Sequence, residues 1–252
     1  MKQIWTGLIA ALLLILPACK VNHLADAAFT NVAISDEQAS KRQASIDSLV
    51  APYKARLDAE MDEVIGEAVV ELRKMRPESR LGNWFADLLH EETEKHLGKP
   101  IDFAIMNYGG IRIPSIPSGP ITRRIIYELM PFDNLITVVY LDAGTLLEFI
   151  KHMAKGGGWP ASAQLRYNIK DGEPQQITID GNPIDPTRTY AVSISDYLAN
   201  GGGGCDFFAE MRRDDLGILV RQATIDHIIE DTRLGQKQNA ELEGRIRYHD
   251  DP

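Results

Sequence analysis

Ile101-Asp102-Phe103-Ala104-Ile105-Met106-Asn107-Tyr108-Gly109-Gly110-Ile111-Arg112 passes from a largely apolar run into a polar, glycine-paired loop within a dozen residues. A short apolar run of this length has the pattern of a buried strand, and the glycine pair marks where it stops. In α/β folds the loop just after a strand is where ligands are placed. The residue types suit that position. Gly109 and Gly110 let a backbone approach a ligand closely, Asn107 offers both donor and acceptor, and Arg112 can grip an anion with two parallel bonds. A glycine pair after a strand is by itself usually a tight turn, so the remainder of the chain has to supply the weight.

Upstream, Ser79 starts a helix in which Trp84, Phe85, Leu88 and Leu89 form pairs four apart and which ends near Gly98. Glu63 to Leu72, with Val64, Ile65, Val69 and Val70, reads as a strand. Before it, Asp36 caps a helix carrying Ile46, Leu49, Val50, Tyr53 and Leu57 on one stripe. Downstream, Thr122 caps a short helix to about Leu129, Leu135 to Leu141 is a strong strand, and Asp142 starts a helix through His152 that gives way to Gly156-Gly157-Gly158. A hairpin follows, with strands near Leu165 and Ile177 and the turn Asp180-Gly181 beyond them. Thr189 to Ile194 is a further strand, running into Gly201-Gly202-Gly203-Gly204. A strand near Leu219, a helix from Thr224 to Arg233 and a short strand near Ile246 complete the chain. Interleaved helices and strands with hairpins among them indicate a mixed α/β (α+β) domain rather than a purely parallel sheet.

The first residues carry an address. Met1-Lys2, an apolar run from Ile4 to Leu16 and Leu16-Pro17-Ala18-Cys19 form a secretory signal. The run is too short for a membrane-spanning helix, which needs about 20 apolar residues. The leucine three residues before a cysteine resembles the lipobox of bacterial lipoproteins. Residues 1–18 are then a signal peptide, Cys19 the lipidated N-terminus, 19–35 a tether, 36–62 a linker helix and 63–250 the domain. Lys20 after the cysteine leans toward an outer-membrane or cell-envelope location, on the periplasmic or surface side. The formal charge of −9 without a basic run argues against a nucleic acid polymer as partner. With Cys19 acylated, Cys205 is the one remaining thiol and no intrachain disulfide can form. The six histidines (His23, His90, His96, His152, His227, His249) are scattered and read as solvated or helix-surface residues.

Two more loops resemble the first. Met130-Pro131-Phe132-Asp133-Asn134 puts an aromatic and an amide ahead of a strand, and Asp196-Tyr197-Leu198-Ala199-Asn200 leads into four glycines and then Cys205-Asp206-Phe207-Phe208. Four successive glycines are costly to order, which makes them an odd choice for a plain bend. Glu78-Ser79-Arg80-Leu81-Gly82-Asn83, Asn107 to Arg112, Pro131-Phe132 with Asn134, and Tyr197 to Gly202 together resemble, in order, the C-terminal substrate-binding domain of the 5'-nucleotidase family. The resemblance covers about Ile65 to Ile229 and implies a layered α/β/β/α domain. It further implies a nucleobase stacked between Phe132 and Tyr197, with Asn134 and Asn107 bonding base or sugar, Arg112 on the ribose or phosphate side, and Gly109, Gly110 and Gly157 allowing close approach. Gly203 stands where the family has an aspartate for the ribose hydroxyls, and Asp206, three residues on, is the available substitute. Met75 and Glu71 stand where two upstream arginines are expected, with Arg73 and Arg76 beside them.

Full-length members of that family place a metallophosphoesterase domain ahead of this one, with two metal ions that activate a water. Signatures such as Asp-x-His, Gly-Asp-x-x-Asp and Gly-Asn-His-Asp/Glu are missing from these 252 residues. No cofactor is expected in this chain, divalent metals belong to a partner domain, and Cys205 reads as a structural thiol. Three functions follow: the nucleotide-recognition part of a 5'-nucleotidase-type hydrolase working with a separate metallophosphoesterase chain, a non-catalytic lipoprotein that binds nucleotides or nucleosides, or a fold kept only as an interaction domain, with Gly203 marking a decayed pocket.

Overall fold

The computed structural model describes residues 36–249. The signal segment, Cys19, the 19–35 tether and residue 250 lie outside the described residues. The chain divides between Ala51 and Pro52 into two units. Helix α1 (Asp36–Met61) contains Pro52. Ile46, Leu49, Val50, Tyr53 and Leu57 do lie on it, but all five are exposed, and the core begins only at Met61. Helical spacing alone does not bury a stripe.

The order continues β1 (Val64–Ala68), β2 (Leu72–Arg73), α2 (Arg80–Leu97), β3 (Phe103–Ala104), β4 (Ser115–Ile116), β5 (Gly119–Thr122), α3 (Arg123–Leu129), β6 (Leu135–Asp142), α4 (Ala143–Lys155), β7 (Leu165–Lys170), β8 (Glu173–Ile179), β9 (Thr189–Ser195), α5 (Asp196–Ala199), β10 (Arg213–Leu219), α6 (Val220–Arg233) and β11 (Ile246–Tyr248). The helix starts follow their caps: Ser79, Thr122 and Asp142 each accept a backbone N–H three residues on. Gly98 ends α2 in the left-handed region at φ 71°.

The strand expected over Glu63–Leu72 is two strands. β1 leaves its partner β5 at Ala68, where the backbone pairs with Gln238 instead (Gln238 N–H to Glu67 O 2.8 Å, Val69 N–H to Gln238 O 2.9 Å). Ile101–Met106 is buried throughout, yet ladder pairing is confined to β3 and a bridge from Ile105 to Ala161. The last long helix starts at Val220, not Thr224. The Thr224 hydroxyl donates to Val220 O (2.8 Å) within the first turn, so it sits inside the helix rather than capping it.

The central sheet has the order β10-β6-β9-β3. Its pleat splits the core: Ile136 and Val138 of β6 face a cluster with Phe85 and Leu89 of α2 and Ile225 and Ile228 of α6. Val139 and Leu141 face Phe149 and Met153 of α4 and Tyr167 and Ile179 of the β11-β7-β8 sheet. The result is the layered, mixed α/β fold expected. A C-terminal strap locks α2: buried Arg245 grips Asp87 with two bonds (2.7 and 2.6 Å) and donates to Ala161 O (3.0 Å). Glu78 accepts the N–H groups of Glu243 and Gly244.

Not all the histidines are solvated. His90 is buried. His227 on α6 hydrogen-bonds through Nδ1 to the buried Glu92 of α2 (2.9 Å), with Asp231 at 3.4 Å and Glu91 at 3.8 Å from Nε2. Burial opposes its charge, but the Glu92 bond and the acidic neighbours outweigh this and raise its pKa. For Glu92, burial is likewise outweighed by the His227 bond and Lys95, and its pKa is lowered. The imidazole's contribution to stability is complete below its unfolded value of about 6.5 and is lost as pH rises through the raised folded value; that of Glu92 is present above about 4.3 and lost on acidification. His227→Gln should therefore lower Tm by more at about pH 5.5 than at about pH 9 in thermal melts. An equal gap at both pH values would contradict the pairing.

Candidate functional site

Three chain segments meet at one end of the central sheet because of strand direction. β6 and β9 are antiparallel with Ile136 opposite Ser195, so the loop entering β6 and the turn leaving β9 emerge together. β3 runs parallel to β9, which brings its following loop to the same end. Between them lies a cavity of about 290 Å³ lined by Asn107, Gly109, Gly110, Arg112, Phe132, Asn134 and Tyr197.

Each wall has its own support. After β3, Gly110 N–H bonds Asn107 O (2.9 Å) in a 3₁₀ turn, and a Cβ at Gly110 would come 2.8 Å from Asn107 Oδ1, so a side chain there would displace the Asn107 amide. That Asn107 oxygen is buried and has no hydrogen-bond partner among the described residues, an acceptor left for something entering the cavity. Phe132 and Tyr197 keep 39% and 47% of their surface exposed, an unusual amount for large rings inside a concavity. A side chain at Gly202 would run into the Tyr197 ring (2.5 Å to Cε2), so this glycine is what allows the ring to lie back against the loop. Asp196 Oδ1 accepts from Leu135 N–H (2.9 Å) and Tyr197 N–H (2.8 Å), tying the two aromatic segments to one carboxylate.

Arg221 and Lys74, which carry no local sequence signal, complete the site together with Arg76. Arg221, at the start of α6, donates from Nη1 to the carbonyls of Met130 and Phe132 (both 3.0 Å), pairs with Asp133 and stacks on Tyr127 (4.5 Å). Lys74 donates to Ile111 O (2.7 Å), and its Nζ lies 3.9 Å from the Tyr108 ring centroid, while Arg76 lies 4.0 Å from the same ring. Burial first, then Arg112 and Arg76, push the Lys74 pKa down, which marks a crowded cationic cluster beside the cavity. Lys74 and Arg76 follow β2 two residues apart, the spacing that shares a face in extended chain. Arg73 instead pairs with Glu71 at 3.6 Å.

Two expected site residues are not among the seven lining the cavity. Gly157, at φ 77°, backs onto Arg76 and Tyr248, and a Cβ there would sit 3.1 Å from Arg76 Nη1. The Asp206 carboxylate lies against Gly201, 2.8 Å from where a Cβ would be, because the left-handed turns at Gly201, Gly203 and Gly204 carry the chain away before residue 206. Cys205 is fully buried; burial, then Asp206, push its thiol pKa up to about 12, which leaves no thiolate for chemistry.

The family model described as "5'-nucleotidase, C-terminal domain" matches residues 61–210. The chain belongs to this family. The solved 5'-nucleotidase precursor from Thermus thermophilus superimposes with a TM-score of 0.70 at 29% identity, covering 82% of this chain and 43% of that one. Protein UshA of Escherichia coli is 28% identical over 163 residues, 62% of this chain and 29% of UshA. Cell wall protein Lmo0130 of Listeria monocytogenes is 27% identical over 233 residues, 81% of this chain and 29% of that protein. The chain thus spans less than half the length of these relatives, and the matched part is a 5'-nucleotidase C-terminal domain related to nucleotide-hydrolysing enzymes.

Because Arg221 holds two backbone carbonyls of the Phe132 loop of this 5'-nucleotidase-type domain, Arg221→Ala should cost about 2 kcal/mol in denaturant unfolding, the scale of charged hydrogen bonds. Amide exchange over residues 130–135 should accelerate with it. Unchanged exchange there would show that the loop is held by other contacts.

Proposed function

We propose that this chain is the nucleotide-recognition part of a 5'-nucleotidase-type hydrolase, serving nucleotide catabolism. Its nucleobase slot lies between Phe132 and Tyr197, and phosphoester hydrolysis draws on a metallophosphoesterase partner that carries the divalent metals. The observation that carries this reading is the pair of half-exposed aromatic rings, delivered by two different loops to one cavity that also holds the unpaired acceptor of Asn107. Stacking on aromatic faces is worth about 1–3 kcal/mol per base. Asn107 and Asn134 supply the polar contacts to base or sugar, and Gly109 and Gly110 let them come close. Arg112, with Lys74 and Arg76 near it, favours a ligand bearing phosphate over a neutral nucleoside. The reading rests on the seven lining residues and leaves Gly157 and Asp206 outside the contact set.

The Leu16-Pro17-Ala18-Cys19 sequence supports export and lipid anchoring in the cell envelope, in keeping with the similarity to a cell wall protein. Anchoring this chain and its partner to one membrane would raise their effective concentration as a linker does.

Calorimetry should detect AMP binding to the wild-type chain, and Phe132→Ala should weaken it by about tenfold or more. Mixing the chain with an exported metallophosphoesterase chain should raise nucleotidase activity above the sum of the two alone. Binding without activity in any pairing would leave the chain a nucleotide-binding surface lipoprotein. Absence of AMP binding at millimolar ligand would contradict both.

A further inference from the structure

His152, in the last turn of α4, lies outside the cavity, yet it touches the segment that backs one of its walls. Its Nε2 is 2.8 Å from Gly203 O. A carbonyl only accepts, so Nε2 carries the proton and donates. The N–H of the same Gly203 donates to Tyr197 Oη (3.0 Å). One residue of the glycine loop is thus held from behind by an imidazole and in front by the phenol that lines the cavity. Packing reinforces this line: the His152 ring meets Trp159 edge-on (5.3 Å between centroids) and Phe207 (6.0 Å). A Cβ at Gly204 would lie 3.1 Å from His152 Cε1.

The loop needs such an anchor. Gly201, Gly203 and Gly204 all occupy the left-handed region (φ 86°, 66° and 81°), and a glycine run loses more freedom on ordering than any other sequence. Its backbone ties to the residues on either side are Gly201 N–H to Leu198 O (2.9 Å) and Cys205 N–H to Gly202 O (3.3 Å). Tyr197 is about half exposed, lines the cavity, and takes its backing from Gly202 and its hydroxyl bond from Gly203.

We propose that His152 is a positioning residue for the tyrosine wall. By donating to Gly203 it fixes the glycine loop against the Tyr197 ring and so sets the width of the slot from α4. This rests on the reading of the slot as a nucleobase site, whereas the loop's rigidity can be measured without any ligand.

The test compares two variants of the full chain. His152→Leu keeps apolar contact with Trp159 and Phe207 but removes the donor, and His152→Gln keeps a donor at a similar reach. In the Leu variant amide exchange over residues 197–204 should accelerate while α2 stays protected, and the AMP Kd should rise about fivefold, the scale of one lost hydrogen bond. The Gln variant should restore both. A Leu variant with wild-type exchange in the loop overturns the proposal, and so does a folded Gln variant that fails to rescue, because the ring would then act by packing alone. If the wild-type chain does not bind AMP, the nucleobase reading fails by itself, and loop exchange in the two variants still decides the role of His152.

Discussion

The Asp196 carboxylate is the contact on which the site depends. Its single oxygen Oδ1 takes the first N–H of β6 and the N–H of Tyr197. The antiparallel register brings the two segments to one sheet end, but register fixes only strand positions. It does not fix the direction in which a loop leaves. A charged acceptor shared by both segments does, because charge-assisted bonds are shorter and roughly twice as strong as neutral ones. Phe132 and Tyr197 are therefore linked through one side chain in addition to the contacts that hold each loop.

Around that point hydrogen bonds hold the segments on which the rings are mounted. Arg221 holds the carbonyls on the Phe132 side, and Val220 N–H bonds Asn134 O (2.9 Å). Arg245 and Asp87 strap the C-terminus over α2 and reach Ala161, whose neighbour Pro160 bonds through its carbonyl to Met106 N–H just before Asn107. The walls of the cavity stand on three strand ends, each tied to a helix or to the strap. The cationic residues sit to one side, where Lys74 is pinned to the loop carbonyl of Ile111. The cavity itself contains an arginine, two amides and two aromatic rings. Such a surface offers stacking, directed hydrogen bonds and positive charge in one place.

Most of the fold was legible because its signals are local. Caps at Ser79, Thr122 and Asp142 and the apolar runs of β6 and β9 mark their own positions. What was not legible came from distant partners. Gln238 diverts β1 before Leu72, the buried Glu92 draws in a part-buried His227, and nothing in the periodicity of α1 says that its stripe stays exposed. The site divides the same way. Seven residues carried by short motifs converge on the cavity. Arg221 and Lys74 recognise backbone carbonyls dozens of residues away, which leaves no pattern in the chain. Asp206 looked available by spacing, but left-handed glycines turned it toward Gly201.

The central claim is that a nucleobase enters between Phe132 and Tyr197. Proton NMR of AMP titrated with the chain tests it most directly. The account predicts upfield shifts of the base protons H2 and H8 and nuclear Overhauser contacts from them to the ring protons of both Phe132 and Tyr197. Base protons that stay unshifted at millimolar AMP, or contacts that run from the ribose alone, would contradict it.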